Sequence, residues 1–298
     1  MRTASRLTLC TLALTASNTL LATEGGGTVY PVGAENYTCC ALPPPGMYGI
    51  VYAQSYSADT LRNNKGDDAS PSDDFKVTAN AVVPRLVYVT EQQVLGGSLG
   101  FHTIAPLVNL DVKIAPGVSD SDSGLGDMVF GAAIGWHHSQ ALHTVAVFDI
   151  IAPTGSYDKT EIANIGRNHW AAQGVYGVSR MDPTGLNFGF KGMWTVNGEN
   201  SDTHYTDGQE LIMDYALGWG IGNGLVVGAG GYLYQQITDD EQNGATIKDN
   251  RGKAMAIGPS IRFDSGKGWF ATVKYTQEMN VRNRAEGNTL WLKAVMPL

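Results

Sequence analysis

The sequence has few cysteines, few charges and no long apolar run beyond its first residues. Three residues are cysteine and 16% are charged. After residue 22, no stretch holds the roughly 18 uninterrupted apolar residues that a transmembrane helix needs, which excludes a helical membrane protein. Acidic residues outnumber basic ones, with a formal net charge of -8. An acidic chain argues against nucleic acid as a partner.

Enzyme motifs are also missing. The sequence contains no Gly-x-Ser-x-Gly elbow, no His-Glu-x-x-His pair and no phosphate-binding glycine loop. His102 and His143 have no serine partner specified by spacing and are interpreted as lining residues. We therefore expect no catalytic residues, no cofactor and no metal site.

The first 22 residues have the layout of a secretory signal peptide. Arg2 and Arg6 precede an apolar run, and small residues lead to Ala22. Removing this segment takes the formal charge from -8 to -10, because it contains two basic residues and no acidic ones. The mature chain would begin near Thr23. It is exported, either soluble or inserted as a β-barrel.

What the sequence does contain is period-two alternation, with 37 glycines and 13 tyrosines. Helical periodicity is hard to find, whereas segments of about ten residues alternate between apolar and polar side chains. Twelve such segments are separated by Gly, Pro, Asp and Asn clusters. They run at 47–56, 74–91, 98–115, 125–137, 142–152, 170–180, 186–197, 209–218, 225–238, 253–264, 269–280 and 289–298.

The links between these segments alternate in length. Odd-numbered links span 17, 9, 17, 11, 14 and 8 residues, whereas even-numbered links span only 4 to 6. Long loops on one rim and short turns on the other, with both termini on the turn side, are typical of an outer-membrane barrel. The pattern predicts an all-β fold, a 12-stranded antiparallel transmembrane β-barrel with long extracellular loops and short periplasmic turns.

Alternation within single segments is consistent with a barrel around a polar interior. In 269–280, Val273 and Tyr275 lie on one face, and Lys274 and Glu278 lie on the other. A soluble β-sandwich also alternates, so the link lengths and the signal peptide favour the barrel. Recovery in the soluble fraction without detergent would favour the sandwich.

The polar face of the segments gives a predicted lumen lining of both charge signs. Two phase changes, at Pro84 and Pro106, are interpreted as bulges, which place the polar residues on both sides of each proline inward. The predicted lining comprises Lys76, Arg85, His102, Asp111, Lys113, Asp127, His143, Asp149, Lys191, Glu210, Asp214, Arg262, Asp264, Lys274, Glu278 and Lys293.

Tryptophans gather near segment ends, where a barrel meets the lipid headgroups. Trp136, Trp170, Trp194, Trp219 and Trp269 are the predicted aromatic girdle. Trp291 is an exception, because the alternation places it on the inward face with Lys293.

Residues 23–46 form a Gly- and Pro-rich segment ahead of the barrel, which is predicted to cover 47–298. Pro43, Pro44 and Pro45 cannot donate ladder hydrogen bonds, so the segment serves as a lead-in or a plug. Cys39 and Cys40 are adjacent, and the periplasm is oxidising. A vicinal disulfide, a bond to another chain, or small residues packed in a plug all remain open.

Several blocks resemble the bacterial family of meta-pathway phenol degradation proteins. They are "EGGGTVYPVGAENYTCCALPPPGMY", "APTGSYD", "NIGRNHW", "NGENSDTHYTDGQEL", "GGYLYQQ" and "AIGP", which together span nearly the whole mature chain. The resemblance implies an outer-membrane barrel of transporter type that admits aromatic or other hydrophobic substrates. Despite the family's name, it does not imply a phenol-degrading enzyme.

The expected function is therefore an outer-membrane channel for passive uptake of small aromatic or hydrophobic compounds. Its expected partners are outer-membrane lipid, lipopolysaccharide and the solute, with Tyr157, Trp170 and Tyr205 of the long loops helping to bind it. A structural barrel without transport and an outer-membrane hydrolase are the alternatives. The sequence leaves the oligomeric state open.

Overall fold

The computed structural model describes residues 23–298, and the predicted signal peptide at 1–22 lies outside the described residues. A short 3-10 turn, Glu24–Gly26, precedes the strands. The strands are β1 (Gly46–Arg62), β2 (Lys76–Val94), β3 (Gly97–Ile104), β4 (Leu107–Ala115), β5 (Val118–Leu125), β6 (Met128–His137), β7 (Leu142–Ala152), β8 (Ala171–Arg180), β9 (Leu186–Asn197), β10 (Glu199–Asn200), β11 (Tyr205–Thr206), β12 (Glu210–Gly222), β13 (Leu225–Gln236), β14 (Asp240–Gln242), β15 (Ala245–Ile247), β16 (Lys253–Asp264), β17 (Phe270–Arg282) and β18 (Arg284–Pro297). From Thr23 to the C-terminus, no helix is long and apolar enough to cross a membrane.

Most of these strands belong to one closed sheet. β1 pairs antiparallel with both β18 and β2, which joins the two ends of the sheet. β3 and β4 pair with successive parts of β2 and make one barrel strand, interrupted at 105–106. β5 and β6 follow them in the same way and make the next. The result is a 12-stranded antiparallel barrel, which confirms the predicted fold class.

The outer surface of the barrel is apolar. On β17, the side chains of Val273 and Tyr275 are 47% and 45% exposed, whereas Lys274 and Glu278 are buried. Other strands show the same alternation, with large apolar side chains exposed around the wall and many charged side chains buried. Only a lipid surround makes that arrangement favourable, because water would penalise such a band of exposed apolar area.

The predicted phase changes at Pro84 and Pro106 are absent. β1 pairs with β2 from Gly46 opposite Val89 to Ala58 opposite Val77 without a register shift. The amide of Ala105 still donates to the Pro84 carbonyl, at 3.1 Å, so the ladder continues past both prolines.

The predicted position in the lumen is therefore wrong for three residues. Lys76, Asp111 and Lys113 lie on the outer face, in line with lipid-facing residues nearer the membrane, and all three are exposed. Strands β2 and β4 continue past the apolar band, where their outer face meets water instead of lipid. Polar side chains are favourable there, so polarity no longer identifies the lumen.

Several barrel strands run further than the alternation predicted. The link predicted at 281–288 is reduced to Asn283 between β17 and β18, and most of 116–124 belongs to β5. The longer connections that remain, 63–75, 153–169, 198–209 and 237–252, define the long-loop rim. The short turns at 138–141, 181–185 and 223–224 define the short-turn rim. On the long-loop rim, β10, β11, β14 and β15 form a separate small sheet.

Candidate functional site: the barrel lumen and its N-terminal segment

The N-terminal segment, residues 23–45, runs through the lumen. The Asn36 side-chain amide donates to Ser260 Oγ on β16, at 2.9 Å. The Cys40 amide donates to Ser179 Oγ on β8, at 3.1 Å. These two strands are separated by three others in the barrel wall. A segment whose buried residues reach both strands must lie inside the barrel.

Glu35 is the centre of this segment's contacts. Its carboxylate is 2.5 Å from Lys293 Nζ, 3.3 Å from Arg85 Nη1 and 4.0 Å from Lys191 Nζ. The Tyr52 hydroxyl also donates to it, at 2.9 Å. Glu35 is 1% exposed. Because an unpaired buried charge is costly, the three cations and the carboxylate stabilise one another only while the segment is in place.

The backbone beside Glu35 is held as well. Asp214 on β12 accepts the amide protons of Gly33 and Glu35, at 2.8 Å and 2.9 Å. Lys274 on β17 donates to the carbonyl oxygen of Glu35, at 2.6 Å. Gly33 has φ +79°, and a Cβ there would lie 2.9 Å from the Tyr232 ring. Glycine is therefore required for both its conformation and its close approach to the wall.

Other side chains of the N-terminal segment pack against apolar residues of the barrel wall. A small cavity remains between them, of about 30 Å³. Its lining includes Val29, Tyr30, Pro31, Ala34, Tyr52, Val83, Ile104, Pro106, Val129 and Trp291. A cavity that is known to bind benzene has a volume of about 150 Å³, roughly five times larger. An aromatic solute cannot occupy this cavity while the segment stays where it is.

The structure places most of the other predicted lining residues inside the barrel. Those that are buried or nearly so are Arg85, His102, Asp127, His143, Asp149, Lys191, Glu210, Asp214, Arg262, Lys274, Glu278 and Lys293. Asp264 lies near the short-turn rim, 40% exposed, with a 2.5 Å contact to Arg262. The segment gathers Arg85, Lys191, Lys293 and Lys274 around Glu35, whereas Glu210 and Glu278 bond to tyrosines nearer the long-loop rim.

The side chains of the luminal histidines contact charged groups or another histidine. His102 Nδ1 is 2.6 Å from Arg85 Nη2, and its Nε2 is 2.9 Å from Asp149 Oδ1. Both ring nitrogens are thus engaged by charged groups. His143 Nδ1 faces His137 Nδ1 at 2.7 Å. Ser179 lies opposite His143 on β8, but its hydroxyl accepts the Cys40 amide proton, whereas a hydrolase of the Ser-His type requires a hydrogen bond between serine and histidine.

Sequence reasoning missed the residues that fill the lumen. Glu35, Tyr30 and Tyr52 carry much of the contact network and were not selected. One signal was available, because Glu35 is the only charged residue between Gly25 and Ala58. A single acidic residue in an otherwise uncharged segment, followed by a barrel with inward lysines, indicates an ion pair between that residue and the lysines.

Long loops close over the start of the segment. The Tyr157 hydroxyl and the Asn200 amide donate to the Glu24 carboxylate, at 3.0 Å and 2.6 Å. Arg167 donates to the Glu24 carbonyl, at 3.3 Å. Burial, together with the Glu24 charge, raises the pKa of Tyr157 to about 12, so it stays a donor at neutral pH. Loop 153–169 is therefore fastened to the N-terminal segment.

A buried histidine supports the same loop. His169 Nε2 lies 3.3 Å from Asp207 Oδ2, and both residues are buried. Burial alone would lower the pKa of His169, but the hydrogen bond and charge of Asp207 raise it above the ordinary value. Asp207 also accepts the Glu24 amide proton, at 2.7 Å. The loop and the segment thus share one carboxylate.

Of the three loop aromatics expected to bind solute, two are engaged by the protein itself. Tyr157 bonds to Glu24 as described, and the Tyr205 hydroxyl donates to Asp240, at 2.7 Å. Trp170 stands exposed on the outside of the barrel. Their role in solute binding remains a prediction.

The sulfur atoms of the neighbouring residues Cys39 and Cys40 lie within disulfide-bonding distance of each other. They lie at the end of the segment nearest the short-turn rim, where Cys40 packs with Ala133 and Val145. Their redox state in the periplasm remains a prediction that mass measurement with and without reductant can check.

The predicted girdle tryptophans stand at the two rims. Trp170 and Trp194 lie near the long-loop rim, and Trp219 and Trp269 near the short-turn rim, all exposed. Trp136 is partly covered and donates to the Leu95 carbonyl, at 3.1 Å. Indole groups at both edges of an apolar band suit the two headgroup layers.

One solved structure of similar fold is an outer-membrane channel. The COG4313 outer membrane channel from Pseudomonas putida F1 is 19% identical, with a TM-score of 0.77 over 87% of this chain and 97% of that chain. The translocator domain of the autotransporter NalP from Neisseria meningitidis is 10% identical, with a TM-score of 0.49 over 86% and 90%. A Pseudomonas aeruginosa FadL homologue is 11% identical, with a TM-score of 0.45 over 91% and 96%. No curated protein sequence matches this chain.

The sequence itself matches a family. Residues 58–294, most of the barrel, match the family described as "Putative MetA-pathway of phenol degradation". This agrees with the resemblance read from the loop and turn motifs. The barrel fold and its apolar outer band place the protein in the bacterial outer membrane. The chain is thus a member of the phenol degradation MetA-pathway family, built as a 12-stranded outer-membrane barrel.

Proposed function

We propose that this protein is an outer-membrane channel that passively admits small aromatic or amphipathic compounds when its N-terminal segment moves aside. The observation that carries the proposal is the mixed lining of the lumen around Glu35. Cations on β2, β9 and β18 stand next to aromatic and aliphatic residues, some of them on the same strands. A through-passage lined in this way suits a solute that has a ring and one polar end.

The apolar and the charged side chains each have a definite role in this proposal. Trp291, Tyr52 and Val129 supply a surface against which a planar ring can pack. Lys191 and Lys293 supply charged donors for a hydroxyl or carboxylate oxygen. While the N-terminal segment is docked, Tyr30 and Glu35 take both places.

The docked segment corresponds to a closed state. The cavity of about 30 Å³ beside the segment is too small for an aromatic ring. Conduction therefore requires that the segment shift or leave, and the free energy of its contacts sets how often this happens. The expected wild-type behaviour is a low open probability with brief openings.

The test is conductance and solute uptake with purified full-length protein. Planar bilayers report ion flow, and proteoliposome swelling reports uptake of graded solutes from sugars to benzoate. We expect rare openings in the wild type, and benzoate uptake faster than that of a sugar of equal size. A barrel that stays silent toward ions and every solute, under conditions that open a known porin, would count against transport and favour a structural role.

Lipopolysaccharide is the proposed partner of the polar outer face. Lys76 and Lys113 stand exposed there, above the apolar band and beside Asp74. Lysines at that height can meet headgroup phosphates. Binding of lipopolysaccharide to the wild type, but equally to a variant with Glu at both positions, would count against this.

A further inference from the structure

The first described residues of the N-terminal segment meet two buried carboxylates at the long-loop rim. The backbone nitrogen of Thr23 is 3.4 Å from Asp240 Oδ2. The backbone nitrogen of Glu24 is 2.7 Å from Asp207 Oδ1. Thr23 is 1% exposed and Asp240 is 0% exposed. The start of the segment is therefore enclosed by protein, with its nitrogens directed at negative charge.

Asp240 has many hydrogen bonds and no cation among the residues that the structure describes. Its carboxylate accepts protons from the Gly208 amide, at 2.7 Å, and from the side chains of Tyr205, Gln236 and Asn250, at 2.7, 2.6 and 2.7 Å. No Lys or Arg of 23–298 forms an ion pair with it, and the charge of Asp207 lies near enough to oppose its ionisation. A buried carboxylate in a folded protein normally has a charged partner.

The backbone of Thr23 is in an unfavourable conformation for a residue in the middle of a chain. Its φ is +61° and its ψ is 153°, a region that is essentially restricted to glycine. Threonine is β-branched, so its side chain makes the clash worse. A positive φ is unfavourable because it brings a side chain close to the peptide group that precedes it. This clash disappears if no residue precedes Thr23.

We propose that cleavage after Ala22 turns Thr23 into the mature N-terminus, whose α-ammonium group binds Asp240 and locks the N-terminal segment into the barrel. A membrane-bound signal peptidase hydrolyses the peptide bond between Ala22 and Thr23. Water supplies the oxygen of the new Ala22 carboxylate, and the Thr23 nitrogen leaves as an amine that takes up a proton. The new charge then pairs with the Asp240 carboxylate, which has no cationic partner among residues 24–298.

The proposal connects maturation with closure of the barrel. In the uncleaved chain, the Thr23 nitrogen is a neutral amide and cannot neutralise Asp240. After cleavage the ammonium pairs with Asp240, and the adjacent Glu24 amide holds Asp207, which also anchors His169 of loop 153–169. Processing therefore fastens the segment and the loop together at the rim.

Two measurements on purified full-length protein test this. N-terminal sequencing and intact mass identify the first residue, which is expected to be Thr23. Acylation of the α-amine by an N-hydroxysuccinimide ester is then followed at neutral pH by mass spectrometry. Since an enclosed, paired ammonium reacts only when the site opens, labelling is expected to be at least about tenfold slower than in denaturant-unfolded protein.

The variants Asp240→Asn and Asp239→Asn form a matched pair. Asp239 is the neighbouring residue and bonds to Arg251 at the surface, so its loss leaves the buried site intact. Asp240→Asn is expected to bring α-amine labelling close to the unfolded rate, whereas Asp239→Asn keeps it slow. A chain with Gly-Ser inserted between Ala22 and Thr23 is the second variant. It leaves every strand unchanged, should keep the heat-modifiable gel mobility of a folded barrel, and should also lose protection.

Three results would overturn the proposal. The first is a mature N-terminus at another residue. The second is native labelling at the unfolded rate. The third is equal protection in Asp240→Asn, Asp239→Asn and the insertion chain, which would mean that the ammonium does not depend on Asp240.

Discussion

Replacing Glu35 with glutamine should open the channel. The substitution keeps the shape of the side chain but removes the charge that Arg85, Lys191 and Lys293 surround at 3.3, 4.0 and 2.5 Å. Removing one partner of a fully buried pair costs about 3 to 5 kcal/mol. In the open state, water and salt anions reach the same cations. The substitution therefore destabilises the docked position of the segment, and it does not destabilise the barrel.

The magnitude follows from this difference. If about 2 kcal/mol of the cost falls on the docked state alone, the ratio of open to closed channels rises about 30-fold. A glutamine amide still accepts one hydrogen bond, which is why the lower figure is used. The wall strands keep their pairing, so the folding of the barrel, measured by heat-modifiable gel mobility, should not change.

The assay is open probability in planar bilayers, with Glu286→Gln as the matched control. Glu286 pairs with Arg62 through two hydrogen bonds of 3.0 Å, but both side chains are about a quarter exposed. Such a pair contributes about 0 to 1 kcal/mol, and it does not contact the N-terminal segment. The control should gate like the wild type. If Glu35→Gln also gates like the wild type, the Glu35 contacts do not hold the channel closed and the reasoning fails.

Three further predictions use other features of the lumen and its rim. Gly33→Ala should raise open probability, because its φ of +79° and the Tyr232 ring 2.9 Å from the new methyl both oppose the docked backbone; an unchanged bilayer trace would contradict this. The pKa of His169 is higher in the folded protein than in the unfolded chain, where it is about 6.5. Protonated His169 therefore stabilises the fold fully below about pH 6.5, and this stabilisation is lost as the pH rises through the folded-state pKa. Protease cleavage of loop 153–169 should increase above that pH. The same experiment on His169→Gln should show no pH step, and a step that persists would assign the effect to another group. Lys76→Glu should leave ion selectivity unchanged, whereas Lys191→Glu should shift it toward cations. Equal shifts in the two variants would mean that Lys76 lies in the lumen.

The overall architecture could be predicted from the sequence because each barrel strand alternates between two different solvents. Lys274 and Glu278 against Val273 and Tyr275 on β17 identify the two faces without any tertiary information. The even strand count and the unequal links then identify a closed barrel with two different rims. These signals are local, repeated twelve times, and robust to errors of a few residues at each end.

The interpretation was wrong where the solvent outside the barrel changes. Asp111 and Lys113 were assigned to the lumen because the outer face was taken to be apolar along the whole strand. β4 extends beyond the membrane, so its outer face meets water and carries the charges, and no bulge is needed at Pro106. Sequence polarity reports contact with water, and it does not report on which side of the wall that water lies.

The contents of the lumen could not be predicted for a different reason. Residues 23–45 lack any periodic pattern, and their partners lie far along the chain, as with Glu35 and Lys293. Such contacts depend on closure of the barrel, which brings eight or more strands around one segment. The position of Glu35 could have been suspected from its isolation as a charge, but its three cationic partners required the structure.

The most direct measurement of the central claim is conductance with the segment reversibly tethered to the wall. Asn36 and Ser260 are in hydrogen-bond contact at 2.9 Å, so Asn36→Cys with Ser260→Cys can form a disulfide across that contact, in a background with Cys39 and Cys40 changed to serine. With the tether oxidised, the channel should be closed to ions and to benzoate, and reductant should restore the openings. If conductance is the same with the tether oxidised and reduced, solutes pass beside a fixed segment and the N-terminal segment is not the gate.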